Sequence, residues 1–261
     1  MAIHTLFPNL VKLEPVKHKY FDAKGKEYLS VSALLKLLSQ SFEDTPAYKM
    51  ASADTRAEWK AKGKASADHG TSIHNALELY SDTGQILIEN QKHESAIKSI
   101  NEQYKEYNKS YNEVCLYNEN YRIAGTTDKI CAVSNRKDCE VDIADFKNLS
   151  KDLEFYSKYK NRMYAPVEHL SDCNFVKYSL QLSLYAYFFE LLTCRRVRQL
   201  YIHVIPTTNM MGHQKIPVIY LKNDVKLILE ANKNKILESL GEPTILNKTI
   251  ETISLQEDEI F

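Results

Sequence analysis

Two short acidic motifs lie close together near the middle of this 261-residue chain. Gly125-Thr-Thr-Asp128 leads into one predicted strand, and Asp145-Phe-Lys147 ends another, with Asp145 placed 17 residues after Asp128. Two carboxylates on adjacent strands can hold Mg²⁺ or Mn²⁺ against a phosphodiester, and a nearby lysine can stabilise developing charge or position the attacking water. The two motifs therefore predict a metal-dependent site for phosphodiester hydrolysis.

The tripeptide Asp-x-Lys alone is a weak signal, because it occurs three times in the chain. Asp22-Ala-Lys24 is followed by a glycine between two apolar pairs, which predicts a hairpin turn, and Asp224-Val-Lys226 precedes a helical run, which predicts a helix cap. Only Asp145-Phe-Lys147 ends a hydrophobic strand. A period of two places four residues on one face of that strand: Val141, Ile143, Asp145 and Lys147. On these residues alone, a structural Asp–Lys ion pair is an equally good interpretation.

An upstream helix offers a further ligand. His74 and Glu78 are spaced i, i+4 on one helix face, after Gly70, a residue that would permit close backbone approach. Neutral imidazole binds first-row metals, so His74 could complete the site and favour Mn²⁺. A histidine at the surface or behind the metal ligands is the alternative.

A downstream apolar helix carries one amide in its buried stripe. Gln181 lies one turn before Tyr185, among aromatic and leucine residues at helical spacing. A buried glutamine needs a hydrogen-bond partner, so Gln181 either bonds to the backbone or reaches into an active site. Tyr185 is either a phosphate contact or an ordinary core tyrosine.

The order of these motifs resembles the RecB-like branch of the PD-(D/E)XK nucleases, over roughly residues 15 to 205. That branch has a histidine on an early helix, then Gly-x-x-Asp, Asp-x-Lys and Gln-x-x-x-Tyr, which are found here at His74, Gly125–Asp128, Asp145–Lys147 and Gln181–Tyr185. In detail the chain is similar to exonucleases of the mitochondrial genome maintenance type and to related phage-encoded exonucleases.

The resemblance implies a role for each matching residue. His74, Asp128, Asp145 and the main-chain carbonyl of Phe146 would bind Mg²⁺ or Mn²⁺. Lys147 would be catalytic with the two aspartates, and Gln181 and Tyr185 would organise the lysine and the phosphate. Glu113, where many relatives keep a glutamate, and Glu78 are candidates for supporting the ligands from behind.

Some relatives hold an iron–sulfur cluster, and none is expected here. The five cysteines are dispersed and lack the late Cys-x-x-Cys group of those relatives. They are interpreted as buried free thiols in a reducing compartment.

The resemblance implies an α/β fold with a restriction-endonuclease-like core, in which helices flank a central mixed sheet in the order helix, three strands, helix, strand. We expect one nuclease domain over residues 1–261, divided into an N-terminal hairpin and helical arm (1–69), a catalytic core (70–206), and a flanking strand, helix and acidic tail (207–261). The patterns predict a hairpin at 18–29, and helices at about 32–40, at 54–80 with a break near Gly70, and at 94–108. They also predict strands near 112–117, 126–133, 139–147, 199–205 and 216–221, and helices near 174–193 and 224–240.

The composition is that of an intracellular protein without a signal or membrane segment, which predicts a cytoplasmic location in a bacterium or a phage-infected cell. The 34 basic and 34 acidic residues give no net charge, so DNA contacts must come from local patches. Between the lysine strand and the glutamine helix, basic and aromatic residues interleave in a way that suits single-stranded DNA: Lys151, Tyr156, Lys158, Tyr159, Lys160 and Arg162. A solvated loop is the alternative.

The acidic tail, Leu255–Phe261, ends in two apolar residues. It resembles the tips by which single-stranded-DNA-binding proteins recruit replication or recombination proteins, and a frayed terminus is the alternative.

The expected function is a Mg²⁺- or Mn²⁺-dependent exonuclease on single-stranded DNA, strand ends or flaps, in replication, repair or recombination. Three alternatives stay open: a lambda-type exonuclease on duplex ends, a non-catalytic DNA-binding module on a nuclease fold, and a site-specific endonuclease.

Overall fold

A computed structural model describes residues 11–15, 17–134, 140–207 and 213–241. Its strands are β1 (Val11–Glu14), β2 (Lys19–Asp22), β3 (Glu27–Ser30), β4 (Lys109–Asn118), β5 (Ile123–Ala132), β6 (Val141–Leu149), β7 (Val197–Pro206) and β8 (Gln214–Val218). Its α-helices are α1 (Val31–Lys36), α2 (Pro46–Met50), α3 (Ala53–Thr83), α4 (Glu94–Tyr104), α5 (Asn174–Thr193) and α6 (Lys222–Ser239). Short 3₁₀ helices cover Phe42–Asp44 and Ile88–His93.

The eight strands form one mixed sheet. Its order is β1-β2-β3-β5-β6-β7-β8, and β4 pairs with β5 outside this path. The pairs β3/β5 and β6/β7 are parallel and the other pairs are antiparallel. Parallel neighbours require a crossover, and α5 supplies it between β6 and β7.

Helices cover both faces of this sheet. We call the side packed by α1, α5 and α6 the α5 face, and the side packed by α3 and α4 the α3 face. In β6, Val141 and Ile143 belong to the core on the α5 face, whereas Ala144 and Phe146 belong to the core on the α3 face. The alternation that the sequence predicted for this strand is confirmed.

The long helix differs from its prediction. α3 runs without a break for 31 residues from its N-cap Ser52 to Gly84, which ends it with φ 73°. A Cβ at Gly70 would meet nothing within 4 Å, so this glycine neither breaks the helix nor allows a close approach. Only Ile73, Ala76 and Leu77 of α3 are buried, which leaves its first half as a largely exposed arm.

Most of the other predicted elements are confirmed, with shifted ends. The glutamine helix has the predicted bounds, α1 ends at Lys36 instead of residue 40, and α4 ends at Tyr104 instead of residue 108. The last strand covers Gln214–Val218 instead of 216–221, and β1 was not predicted. The acidic tail lies outside the described residues, and the division of the chain at 69 and 206 stays a prediction.

No helix in the described part of the chain is both long enough and apolar enough to cross a membrane.

Candidate active site

The two aspartates lie where β5 and β6 separate. The pairing of the two strands runs from Ala132–Val141 to Lys129–Ala144, so the next residues along are Asp128 and Asp145. Beyond this fork the backbone N–H of Phe146 is not paired with the β5 backbone. It donates instead to Asp128 Oδ2 at 2.5 Å. The fork thus places the buried carboxylates of Asp128 on β5 and Asp145 on β6 next to each other.

His74 on α3 reaches the same fork from the α3 face. Its Nδ1 lies 3.2 Å from Asp128 Oδ1, and its Nε2 lies 3.0 Å from the carbonyl oxygen of Phe146. Burial would lower the pKa of His74, but the Asp128 carboxylate outweighs it and raises the pKa to about 9. Each ring nitrogen of His74 therefore has an oxygen partner, and the imidazole is a cation. It lies between Asp128 and the Phe146 carbonyl, which are both potential metal ligands.

Asp145 and Lys147 face the α5 side of the fork. Lys147 Nζ lies 2.5 Å from Asp145 Oδ2 and 5.0 Å from the centre of the Tyr178 ring. Burial raises the pKa of Asp145 to about 6; Asp128 adds to this rise and Lys147 opposes it. Burial would lower the pKa of Lys147, but the charges of Asp145 and Asp128 raise it. Lys147 is therefore a positively charged group beside two carboxylates, and the ring of Tyr178 on α5 lies against it.

Gln181 and Tyr185 lie on α5, close to the start of β5. Gln181 Nε2 donates to the Tyr185 hydroxyl at 3.0 Å, and Tyr185 is buried. A Cβ on Gly125 would approach Tyr185 Cε1 to 2.7 Å, so Tyr185 requires glycine at that position. Burial raises the pKa of Tyr185 well above its ordinary value, so its hydroxyl stays protonated. No hydrogen bond within the described residues joins either side chain to Lys147, and their part in the chemistry stays a prediction.

Glu113 comes closer to the aspartates than expected. Its carboxylate belongs with His74 and Asp128 to one group of potential ligand atoms that all lie within 4.8 Å of one another. Burial raises its pKa to about 7, and the negative charge of Asp128 adds to the rise. The structure therefore places Glu113 among the possible metal ligands, whereas the sequence had suggested a supporting position behind them.

A break in the strand alternation explains this position. Tyr111 and Val114 of β4 both pack on the α5 face although they are three residues apart, which a regular strand forbids. Between them Glu113 has φ 48°, in the left-handed region, and the β4/β5 pairing omits Glu113 and its opposite residue Asp128. The same break lets both side chains leave the regular faces of the sheet and meet His74.

A small cavity adjoins this cluster on the α3 side. Its wall includes His74, Glu78, Asn112, Glu113 and Lys129. Glu78 therefore lies beside the cluster, although it is not among the three residues with grouped ligand atoms. The supporting role of Glu78 stays a prediction.

Lys129 is a residue of this site that the sequence did not reveal. It is buried and donates to Asn112 Oδ1 at 2.8 Å and to Ser81 Oγ at 3.3 Å, with the Tyr104 ring 5.0 Å from its Nζ. Burial lowers its pKa. A lysine after an aspartate in a strand gives no pattern that distinguishes it from a surface residue.

The donor set fits a hard divalent cation. The Glu113 and Asp128 carboxylates and the His74 imidazole are grouped within 4.8 Å, and the Phe146 carbonyl oxygen lies 3.0 Å from His74 Nε2. Asp145 is not in this group, although it follows Asp128 at the end of the strand pairing. Oxygen ligands with a single imidazole suit Mg²⁺ or Mn²⁺. Of the nearby cysteines, Cys115 and Cys131 are protonated thiols because burial raises the pKa of each to about 12. The cluster is therefore a candidate metal centre built on oxygen.

The six residues proposed to contact DNA lie apart from the cluster, along the segment between β6 and α5. All six side chains are exposed: Lys151, Tyr156, Lys158, Tyr159, Lys160 and Arg162.

Comparison with known proteins gives only distant likenesses. No protein-family model matches the sequence, and no curated protein matches it either. A protein from Eubacterium rectale that is provisionally named an exonuclease has a TM-score of 0.48 at 18% identity, over 82% of this chain and 81% of that one. The crystal structure of SSO0001 has a TM-score of 0.36 at 13% identity, over 78% of this chain and 74% of that one. Such distant likenesses do not determine an activity, so the functional evidence lies in the side chains of the cluster.

Proposed function

We propose that this chain is a divalent-metal-dependent DNA exonuclease with a PD-(D/E)XK core of the RecB-like branch. One observation carries the proposal. Asp128, Asp145 and Lys147 meet at a single fork of β5 and β6, and His74 of α3 closes that fork through Asp128 and Phe146. A structural ion pair would require Asp145 and Lys147 alone, whereas metal-assisted hydrolysis uses the whole set.

The residues that would hold the cation are Asp128, Asp145, Glu113, His74 and the carbonyl of Phe146. A bound Mg²⁺ or Mn²⁺ would polarise a phosphate oxygen and favour deprotonation of a nearby water. Asp128 has two tasks of its own: Oδ1 orients His74, and Oδ2 fixes the peptide N–H of Phe146. The carbonyl of Phe146 belongs to the next peptide unit, so Asp128 restrains it only through the backbone of Phe146, whereas it contacts His74 directly.

Lys147 supplies positive charge that does not depend on a cation. Its ammonium is held by Asp145 and lies against the Tyr178 ring, so it has few alternative positions. Because its pKa is raised, it stays charged at neutral pH and can stabilise the negative charge that develops on a phosphate or align the attacking water. Asp145 thereby has a second role, which is to position Lys147.

The substrate that we propose is DNA, in the form of single strands, strand ends or flaps, during replication, repair or recombination in a bacterial or phage-infected cytoplasm. A chain without net charge must bind DNA locally, and exposed lysines and tyrosines follow β6 directly in sequence. Recruitment of other replication or recombination proteins by the acidic tail is part of the same proposal.

Cleavage of end-labelled DNA tests this function. Purified protein is incubated with single-stranded and blunt duplex DNA in Mg²⁺ or Mn²⁺, with EDTA as the metal-free control. Lys147→Ala should abolish shortening, whereas Lys226→Ala, in another Asp-x-Lys copy and exposed on α6, should leave it unchanged. The preferred substrate decides between the single-strand and duplex-end versions.

Two results would contradict the proposal. Binding of DNA without cleavage in either metal would indicate a non-catalytic module. Cutting of closed single-stranded circles would indicate an endonuclease.

A further inference from the structure

The segment between β6 and α5, residues 150–173, is ordered although it contains no helix or long strand. Loops of this length are uncommon in compact domains and usually have a function. This one begins three residues after Lys147 and ends at the helix that carries Gln181 and Tyr185. We call it the β6–α5 loop. Both of its ends are therefore attached to elements of the proposed active site.

Buried side chains hold the base of the β6–α5 loop in the core. Leu153, Met163 and Val167 are buried there, and the backbone N–H of Tyr164 donates to the carbonyl of Leu38 at 2.7 Å. Phe155 packs on Phe175 with ring centres 4.8 Å apart. The base is thus as firmly packed as a regular element.

Hydrogen bonds across the loop fix its outer part. The N–H of Ser157 donates to Ser171 Oγ at 2.8 Å, the N–H of Asp172 donates to the carbonyl of Asn161 at 2.9 Å, and Arg162 Nη1 donates to the carbonyl of His169 at 2.8 Å. The tip is therefore presented on a fixed frame, so a ligand that binds there need not order a flexible chain.

Two aromatic rings stand out from this frame. Tyr156 is 81% exposed and Tyr159 is 86% exposed. Among the described residues, neither ring stacks on another ring and neither hydroxyl has a hydrogen-bond partner. Phe155 and Tyr164 of the same loop are 46% and 49% exposed, so Tyr156 and Tyr159 are the most exposed aromatic side chains of this loop.

The charges around these rings are mostly positive, although one of the lysines pairs with Glu154. Between residues 155 and 167 the loop carries Lys158, Lys160 and Arg162 and no acidic residue. The acidic residues lie nearer the base, where Glu154 pairs with Lys158 at 3.0 Å and Asp172 pairs with Lys177 at 2.8 Å. A tip with cations between unpartnered aromatic rings matches a polyanion whose flat bases are free to stack.

We propose that Tyr156 and Tyr159 form a stacking surface for the unpaired bases of single-stranded DNA, while Lys158, Lys160 and Arg162 contact its phosphates. Duplex DNA cannot use this surface in the same way, because its bases are paired and stacked inside the helix. The choice of DNA as the polymer rests on the proposed function. The loop would then select single strands and guide them to the fork.

Binding without metal tests this surface separately from catalysis. Fluorescence anisotropy in EDTA measures the affinity for a labelled oligothymidine and for a blunt duplex of matched length. Tyr156→Ala with Tyr159→Ala should weaken single-strand binding about tenfold or more, because base stacking on one ring is worth about 1–3 kcal/mol, and should change duplex binding less than about twofold.

Two further variants control this measurement. Tyr156→Phe with Tyr159→Phe keeps both rings and should retain single-strand affinity within about threefold. Ile219→Ala removes an equally exposed apolar side chain, 81% exposed beyond the end of β8, and should change nothing. Since all these side chains are exposed, the melting temperature should stay constant.

The outcomes separate this inference from the proposed function. The stacking surface would be overturned if the double alanine variant bound single strands as well as the parent protein did. It would also be overturned if the variant lost as much affinity for the duplex as for single strands. The parent protein could also cut no DNA with Mg²⁺ or Mn²⁺ while replacement of the two tyrosines still weakens single-strand binding. That result would support the stacking surface and overturn the proposed nuclease function.

Discussion

Two buried aspartates on β6, three residues apart, have opposite surroundings. Asp142 accepts from Arg198 Nε at 2.9 Å, from Arg198 Nη2 at 2.6 Å and from the Tyr107 hydroxyl at 2.5 Å. Asp145 has Lys147 as its ion-pair partner, and it lies near the like charge of Asp128 and the positive charge of His74. The strand thus carries one carboxylate whose hydrogen-bonding capacity is filled and one that is held beside another carboxylate.

The difference shows how a structural carboxylate can be told from a candidate ligand. A buried carboxylate is stable when donors surround it, as at Asp142, and two adjacent carboxylates are stable together only when positive charge is added. Lys147 and the protonated His74 supply part of that charge, and a divalent cation would supply more. Asp145 and Asp128 therefore have a capacity that Asp142 lacks.

The sharpest test of this contrast exchanges each aspartate for asparagine. Asp145→Asn should lower the rate of metal-dependent cleavage by more than about 100-fold, because metal stabilisation of the transition state is worth several kcal/mol. Its effect on stability should be small, since Lys147 keeps Asp128 as a charge partner. Initial rates and urea denaturation give the two values.

The matched variant should behave in the reverse way. Asp142→Asn should cost about 1.5–3 kcal/mol of unfolding free energy through weakened charged hydrogen bonds and leave the rate per folded molecule unchanged. Equal loss of activity in both variants would show that the two aspartates do not differ in function.

Metal binding can also be measured without DNA, through its effect on the stability of the protein and of its aspartate variants. Mg²⁺ or Mn²⁺ at about 100 times its dissociation constant should stabilise the fold by about 2.7 kcal/mol, because the cation binds the folded fork and not the unfolded chain. The melting temperature of the parent and of Asp142→Asn should rise, and that of Asp128→Asn should not. A rise that survives in Asp128→Asn would place the cation elsewhere.

Two glycines provide a comparable pair for packing. Gly125→Ala should destabilise the protein by about 1–3 kcal/mol, since the new Cβ lies 2.7 Å from Tyr185 Cε1 and 3.0 Å from Val31 Cγ2. Gly70→Ala meets nothing within 4 Å inside α3 and should stabilise it by about 0.5–1 kcal/mol. Thermal unfolding of both variants checks the signs, and a stable Gly125→Ala protein would contradict the close contact with Tyr185.

The pH dependence of metal affinity follows from the titratable groups around the fork. In the metal-free fold the pKa values of Asp145, Glu113 and His74 are all raised, to about 6, about 7 and about 9. Protonation of these groups therefore stabilises the metal-free fold at low pH, and this stabilisation is lost as pH rises through those values.

A cation must displace the same protons, so Mn²⁺ affinity should increase with pH by about tenfold per unit for each proton released. Calorimetric titration between about pH 6 and pH 9 measures this rise, and Glu113→Gln should remove the part near pH 7. An affinity that does not vary with pH would be inconsistent with this set of ligands.

Several features of the site could be predicted from the sequence because they depend on local pattern. The alternation in Val141–Lys147 and the bounds of the glutamine helix depend on neighbouring residues in the chain, and both are confirmed. The single buried stripe predicted on that helix is not observed, because Leu180, Ser183 and Leu184 are buried as well. The predicted break at Gly70 was wrong, because α3 continues through this glycine although most of the helix before it is exposed. A single glycine costs a helix only about 1 kcal/mol relative to alanine, which a long helix tolerates.

By itself, the sequence determined which chemical groups are available and in what order, since residue types and the periods of strands and helices are local properties. It could not determine that β5 and β6 separate at Asp128 and Asp145, that Glu113 breaks the alternation of β4, or that Lys129 is buried behind the site. Those facts depend on contacts between segments far apart in the chain, where strand pairing and helix packing decide which side chains meet.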